Sequence, residues 1–220
     1  MSSTDGTGWQ AQKSAMTRQK ILDATLECFI RMGYSNVTTG NVIQQAGISR
    51  GTMLHHFPSK KELIQAAVEF LHDKLIDDFS QRVSDIPKAL EGADRRRAGL
   101  DAYWDYLTGD LAVAYHEMCV AGYRDPELGD ILQRSQVLFE QHTHEKNMEQ
   151  FAEWFERGEL YYLAMDITKF LMEGMAYGQL KQNKEEKVRQ LIDYLSDRLE
   201  EIFEEGGSTA ANRHSGKTRS

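Results

Sequence analysis

Apolar residues recur at helical spacing along most of this chain. The clearest stripe lies in residues 185–204, where apolar positions follow an i, i+3, i+4, i+7 pattern. Only three of the 220 residues are proline, so long helices are permitted. The patterns predict an all-α fold whose helices cover residues 14–32, 39–46, 50–56, 59–82, 93–108, 110–123, 127–157, 160–182 and 185–204.

Two of the predicted helices are very short, and local signals mark both ends of each. Thr38 can cap the first, which ends near Gly47 because glycine tolerates the left-handed conformation of a helix end. Ser49 can cap the second, which ends before Pro58. Ser59 then opens a capping box that starts the next helix at once. Two short helices joined by a tight turn predict a helix-turn-helix, with one helix across the DNA backbone and the other in the major groove.

These residues belong to a longer set, over residues 17–63, that resembles the DNA-binding domain of the TetR (tetracycline-repressor-like) family. The resemblance is carried by Ile21-Leu22, Thr25, Cys28-Phe29, Gly33-Tyr34, Thr38-Thr39, Ala46-Gly47-Ile48-Ser49, Gly51-Thr52, His55-His56-Phe57 and Ser59-Lys60-Lys61-Glu62-Leu63. It implies an N-terminal three-helix DNA-binding domain and a larger helical domain for ligand binding and dimerisation. We therefore expect a DNA-binding domain over residues 13–58, an effector-binding and dimerisation domain over 59–205, and disordered polar tails over 1–12 and 206–220.

The net charge of −8 is unevenly distributed along the chain. Residues 1–62 contain seven Lys or Arg and four Asp or Glu, a net charge of +3. The remaining residues contain 19 Lys or Arg and 30 Asp or Glu, a net charge of −11. This asymmetry fits a first domain that faces phosphates and a body that DNA repels, with chance variation over a solvated surface as the alternative.

Several side chains in and around the helix-turn-helix are suited to contact DNA. Arg50 begins the second short helix and can donate two hydrogen bonds to guanine, although a phosphate contact is the alternative. Lys60 stands at a helix start, where the helix dipole favours anions, so a bound phosphate explains it better than stability does. Leu54 departs from the family, which usually has a tyrosine there that reaches a phosphate. The predicted DNA contacts are Thr38, Thr39, Gly40, Arg50, Gly51, Thr52, His55, His56 and Lys60. The roles of His55 and His56 are implied by the resemblance to the family.

The rest of the chain is rich in aromatic residues and methionine, which fits an apolar effector pocket or, alternatively, a filled core. The candidate lining residues are Trp104, His116, Cys119, Phe139, His142 and Met172. The last two predicted helices resemble the pair that forms the dimer in the family, with an intramolecular core face as the alternative. The predicted dimerisation residues are Gly174, Gly178, Val188, Leu191, Leu195 and Leu199.

Motifs for catalysis and for metal binding are missing from the sequence. It has no Gly-x-Ser-x-Gly, His-Glu-x-x-His, phosphate loop or Cys-x-x-Cys, so we expect no enzyme, no cofactor and no metal site. Two cysteines are too few for a disulfide framework, and we expect Cys28 to be a small core residue. A polar start without a signal peptide, and no apolar run long enough for a membrane span, predict a cytoplasmic protein that does not bind membranes.

The sequence therefore predicts a homodimeric, ligand-responsive transcriptional regulator, and a repressor before an activator. It would bind a palindromic double-stranded DNA operator and be released by a small, largely apolar effector molecule. Two alternatives remain open: control by a protein partner, which a filled body would favour, and a catalytic helical body with a vestigial DNA head, which a polar trio in a pocket would favour.

Overall fold

The computed structural model describes residues 5–150, 159–178 and 184–215. Within these ranges the secondary structure is helical, which confirms the predicted all-α fold. The helices are α1 (Asp5–Met32), α2 (Thr39–Ala46), α3 (Arg50–His56), α4 (Lys60–Ser84), α5 (Gly92–Leu107), α6 (Asp110–Gly122), α7 (Pro126–Gln150), α8 (Glu159–Tyr177) and α9 (Lys184–Ser215), with a 3₁₀ turn at Tyr34–Asn36 between α1 and α2.

The two ends of the chain differ from the sequence prediction. The first helix begins at Asp5 instead of near residue 14, and the last continues to Ser215 instead of ending near residue 204. Residues 5–12 and 206–215, which we expected to be disordered, are therefore helical, whereas residues 1–4 and 216–220 of the predicted tails lie outside the described ranges. Helix formation is cooperative: once the packed part of a helix has formed, the helix extends through adjoining residues at little further cost.

The helices form two compact units. Unit 1 contains Met1–Leu75 and Asp110–Glu140, and unit 2 contains Ile76–Gly109 and Gln141–Ser220. The predicted domain boundary between residues 58 and 59 falls inside unit 1, because α4 as far as Leu75, α6, and α7 as far as Glu140 group with the first three helices. Where the DNA-binding domain ends as an independent folding unit stays a prediction.

Unit 1 has a core to which its short helices contribute. Ile21 and Phe29 of α1 are 0% and 1% exposed, and Val42 of α2 is completely buried. The buried Thr25 hydroxyl donates a hydrogen bond of 2.7 Å to the carbonyl oxygen of Ile21, so it leaves no unsatisfied polar group. Cys28 is buried, as predicted, and burial raises the pKa of its thiol. This core positions α2 and α3 at the surface of the unit.

Unit 2 is built from α5, α8 and α9 around a second apolar core. Its buried members are Leu100, Leu107, Tyr161, Ala164, Met172, Met175, Val188, Ile192, Leu195 and Leu199. Two arginines of α5 also reach α9: Arg96 pairs with Glu200 and lies 4.3 Å from the ring centroid of Phe203, and Arg97 pairs with Asp193. The apolar stripe of α9 therefore has a partner within its own chain.

Candidate nucleic-acid interface

Local hydrogen bonds fix the geometry of the α2–turn–α3 segment. The Thr38 hydroxyl accepts a hydrogen bond from the Asn41 amide at 3.2 Å, and the Asn41 side chain accepts one from the Thr38 amide at 2.9 Å. The second helix ends at Gly47, whose φ of 59° and ψ of 43° are left-handed. Ser49 caps α3 by accepting from the Thr52 amide at 3.0 Å. The predicted caps and turn of the helix-turn-helix are confirmed.

The third helix is anchored from its inner side and exposed on its outer side. Met53 and the residue after the helix, Phe57, are 2% and 4% exposed. Leu54, on the outer side, is 49% exposed, so it is not a core residue of the unit. The nine predicted DNA contacts lie at the surface: Thr39, Thr52 and His56 are half-buried, and Thr38, Gly40, Arg50, Gly51, His55 and Lys60 are exposed.

Capping restricts what two of these residues can do at a phosphate. A hydroxyl has a single proton to donate, and the Thr38 hydroxyl donates its proton to the side-chain oxygen of Asn41, with the two oxygens 2.5 Å apart. The Thr52 hydroxyl shares a hydrogen bond of 2.9 Å with Ser49. A phosphate bound at the start of α2 would therefore accept hydrogen bonds from the backbone amides and from the hydroxyl of Thr39 in preference to the hydroxyl of Thr38.

The two adjacent histidines at the end of α3 meet edge to face, with ring centroids 5.2 Å apart. Burial lowers the pKa of His56, and the neighbouring His55 and Arg18 lower it further. The His56 imidazole is therefore mostly neutral at pH 7, so it can offer DNA a hydrogen bond but little charge. No group of three potential metal ligands occurs among the described side chains.

An aromatic residue that we did not predict lies beside Lys60, the predicted DNA contact at the start of α4. The Lys60 ammonium lies 5.9 Å from the ring centroid of Tyr34, whose hydroxyl donates to a carboxylate oxygen of Asp125 at 3.3 Å. Burial and Asp125 raise the pKa of Tyr34 to about 12, so the phenol keeps its proton. A second link joins Lys61 to Glu127 at 3.3 Å. The Gly33-Tyr34 pair is visible in the sequence, but its partner 91 residues away is not.

The comparisons with known proteins agree with this geometry. Residues 21–67, which contain α2, α3 and the start of α4, match the sequence model of the family described as bacterial regulatory proteins, tetR family. Residues 21–67 therefore form a DNA-binding domain of the TetR family. This family consists of regulatory proteins, which confirms the prediction that the chain is not an enzyme.

Named relatives support the assignment over part of the chain. The HTH-type transcriptional regulator CymR of Pseudomonas putida is 30% identical over 126 residues, which are 57% of this chain and 61% of that protein. The regulator SrpR, also of Pseudomonas putida, is 37% identical over 70 residues, 32% of this chain and 33% of that protein. The chain thus spans less than two thirds of the length of these curated relatives.

A solved structure extends the likeness in fold to most of the chain. A TetR-family transcriptional regulator from Mesorhizobium loti superposes with a TM-score of 0.62, covering 89% of this chain and 97% of that one. The two sequences are 17% identical, so this likeness concerns the TetR fold and not a shared ligand.

The six predicted effector-binding residues of this TetR-family chain are distributed over both units. Trp104 is half-buried beside the core of unit 2, and Met172 is completely buried within that core. His116, Cys119 and Phe139 are half-buried in unit 1, and the side chain of His142 lies outside the described part. Met172 packs as a core residue of unit 2. The part of all six residues in binding an effector stays a prediction.

A buried histidine of α4 was missed because nothing in the sequence distinguishes it from a surface residue. His72 is 5% exposed, and its ring stacks on Phe139 with centroids 4.4 Å apart and meets Tyr115 edge to face at 5.0 Å. Burial lowers the pKa of His72 to about 4, so the ring is neutral. Its Nε2 has no hydrogen-bond partner within the described residues.

The predicted dimerisation residues divide into two groups. Val188, Leu195 and Leu199 are buried in the core of unit 2, so most of their surface packs inside the single chain, and their part in a dimer stays a prediction. Leu191 is half-buried against the same core. By contrast, Gly174 of α8 and Gly178, the residue after Tyr177, are exposed.

Gly174 lies on an exposed apolar face of α8. Leu163, Ile167, Phe170 and Gly174 follow one another at i, i+4, i+7 and i+11, and the three side chains are 50%, 38% and 69% exposed. Beside them, a groove of about 280 Å³ is lined by Ile167, Leu171, Tyr194, Leu195, Arg198, Glu201 and Ile202. We call the exposed surface made by Leu163, Ile167, Phe170, Gly174 and Tyr194 the α8–α9 face.

Proposed function

We propose that this chain is a homodimeric transcriptional repressor that binds a palindromic double-stranded DNA operator through α3. A small, largely apolar effector would release it. The observation that carries the proposal is the exposed outer side of α3 on a capped and anchored helix. Arg50, at its first position, has neither an ion pair nor a hydrogen bond within the described residues, so its guanidinium is available to a base or a phosphate. Such a regulator acts in the cytoplasm; no helix within the described residues is long and apolar enough to cross a membrane.

Selection of duplexes from a random library with the purified full chain tests DNA binding. We expect enrichment of a two-fold symmetric sequence whose half-sites lie about one helical turn apart, because two copies of α3 enter successive major grooves. If Arg50 reads a guanine, Arg50→Ala should weaken binding to the selected duplex by roughly 1–3 kcal/mol and relax one base preference per half-site. The matched control is Arg189→Ala, an exposed arginine of unit 2. Recovery of no common sequence would contradict the proposal.

The proposed dimer uses the α8–α9 face. Large contiguous apolar patches on a soluble protein mark interaction sites, and this one contains a glycine at which a second helix could approach closely. A Cβ added at Gly174 would meet no atom within 4 Å in the single chain. A larger side chain there is therefore tolerated by the monomer and would obstruct only a partner.

Gly174→Leu should accordingly convert the dimer to a monomer in light scattering and abolish binding to the palindromic duplex, while helicity is retained. Lys169→Leu, on the polar side of α8, is the matched control and should remain dimeric. A wild-type particle of 25.2 kDa at micromolar concentration would contradict the proposal. So would a Gly174→Leu variant that dimerises as the wild type does.

Control by a small molecule is supported by the environment of His72. A neutral imidazole nitrogen without a partner, between two aromatic rings, is a group that an apolar ligand with one polar atom could satisfy. A thermal-shift screen against a metabolite library tests this, since a ligand at 100 times its Kd stabilises a protein by about 2.7 kcal/mol. A stabilising compound should also release the selected duplex. A stabilising compound that leaves DNA bound would contradict effector control, and a protein partner would then be the better account.

A further inference from the structure

Phe170 is a large apolar side chain of α8 that lies opposite the core of its own unit. It is 69% exposed, whereas Thr168 and Met172, two residues before and after it, are 9% and 0% exposed. Successive residues of an α-helix are rotated by about 100°, so positions two residues away on either side lie on the opposite face of the helix. A phenyl ring left in water in this way forgoes the free energy that its burial would supply.

The groove beside Phe170 has room for one aromatic ring. Its volume is about 280 Å³, and a cavity of roughly 150 Å³ is enough to hold benzene. Ile167 and Leu171, three residues before and one residue after Phe170, belong to the α8 wall, and Leu195 and Ile202 belong to the α9 wall. The exposed ring and a groove of suitable size and apolar lining therefore lie side by side on the same surface.

The charges around Phe170 complement a charge at the groove. Asp166 and Glu173 lie about one turn before and one turn after Phe170, and within the described residues neither carboxylate has an ion pair or a hydrogen bond. Arg198, which lines the groove, pairs with Glu201 at 2.6 Å. A guanidinium has five N–H donors, so Arg198 can bind a second carboxylate. The chain itself thus supplies the ring and the carboxylates that this groove fits, which favours a second copy over an unrelated partner.

We propose that Phe170 of one chain inserts into the groove between α8 and α9 of a second copy, which inserts its own Phe170 in return. The two insertions are equivalent under a two-fold axis that passes between Phe170 and the groove, because a symmetric dimer pairs a surface with itself. Gly174, one turn after Phe170, has no side chain to hold the partner's helix away. The inference rests on the proposed function, because it names the residue and the groove that hold the proposed dimer together.

Truncation of the ring tests whether Phe170 anchors the dimer. Phe170→Ala should raise the dimer Kd in sedimentation at least about 30-fold, the effect of removing an aromatic anchor from the centre of an interface. Tyr123→Ala is the matched control, because it removes an aromatic residue of unit 1 that is 89% exposed, and it should dimerise as the wild type does. A Phe170→Ala variant with the wild-type Kd would overturn the inference.

A mixing experiment tests whether the insertion is reciprocal. Ile202→Trp fills the groove and should exclude Phe170 of a second copy, so this variant alone should be monomeric. In a mixture with Phe170→Ala, Phe170 of the Ile202→Trp chain meets an open groove, and the alanine of the other chain leaves room for the filled one. At a concentration at which each variant alone is monomeric, an equimolar mixture should therefore form a heterodimer. Leu171→Trp fills the same groove from α8 and replaces Ile202→Trp if circular dichroism shows that helicity is lost.

The possible failures are distinguishable. If wild type is a dimer and Gly174→Leu is a monomer, but the mixture of groove-filled and truncated chains stays monomeric, only the insertion of Phe170 is overturned. If wild type is a monomer, the proposed dimer is overturned as well.

Discussion

Two glycines of the helix-turn-helix should respond in opposite ways to the same substitution. Gly47 has a φ of 59°, and a Cβ at this position would meet no atom within 4 Å. The expected penalty of Gly47→Ala is therefore not a clash but the left-handed backbone itself, which costs an L-residue roughly 1–2 kcal/mol. Gly47→Asn should lose less, because asparagine tolerates this conformation better.

Gly51 is the matched control because it lies inside α3. A Cβ there would be 3.7 Å from the Ser49 hydroxyl oxygen, an ordinary van der Waals contact. Alanine is favoured over glycine in a helix interior, so Gly51→Ala should stabilise the protein by about 0.5–1 kcal/mol. If Gly51 faces DNA as proposed, the same variant should bind the operator more weakly.

Amide hydrogen exchange of α2 and α3 is the suitable assay, because a chain with two compact units need not unfold in a single transition. Protection should fall in Gly47→Ala and rise in Gly51→Ala. If Gly47→Ala were as protected as wild type, the turn would not be left-handed in solution. If both variants lost protection, Gly51 would not have the open helical environment described.

Three further predictions concern single side chains. Leu195→Ala should destabilise unit 2 by about 2–5 kcal/mol in urea denaturation, because it leaves a cavity in the core. A variant as stable as the wild type would contradict this. His72 stays neutral in the folded protein, whereas in the unfolded chain it is protonated below pH 6.5. The free energy of unfolding should therefore fall by roughly 3 kcal/mol as the pH falls from 6.5 towards 4, and His72→Phe should flatten that dependence in denaturation. Leu54→Tyr, at an exposed position, should tighten operator binding by roughly 0.5–1.5 kcal/mol in titrations; weaker binding would show that this position does not face phosphate.

The sequence predicted the caps and the turn of the α2–turn–α3 segment well because their determinants are local. The caps at Thr38 and Ser49 act within three residues, and the left-handed turn needs only Gly47. The end of α3 before Pro58 is also a local effect, because a proline disfavours helical backbone at the residue before it. Interactions between neighbours in the chain leave a signature that spacing and residue type reveal.

Contacts between distant residues left no comparable signature. The hydrogen bond between Tyr34 and Asp125 joins positions 91 residues apart. Burial of His72 depends on Tyr115 and Phe139, which come from other helices. The early start of α1 was missed for a different reason: helix propagation needs no specific signal, so a polar stretch of helix resembles a disordered tail.

The dimer prediction shows why an apolar stripe is ambiguous evidence. Periodicity indicates that a face is buried but not what covers it, and the stripe on α9 is covered by α5 and α8 of its own chain. Gly174 of α8 and Gly178, just after α8, also differ, because a Cβ at Gly178 would overlap the Gly174 carbonyl oxygen, whereas one at Gly174 would meet no atom within 4 Å. The local backbone thus explains Gly178 but not Gly174. A glycine inside a helix lowers helix stability by roughly 1 kcal/mol relative to alanine, and no contact within the single chain requires glycine at position 174. A glycine there would, however, allow a second helix to approach closely. The α8–α9 face is therefore a better candidate for the dimer interface than the α9 stripe.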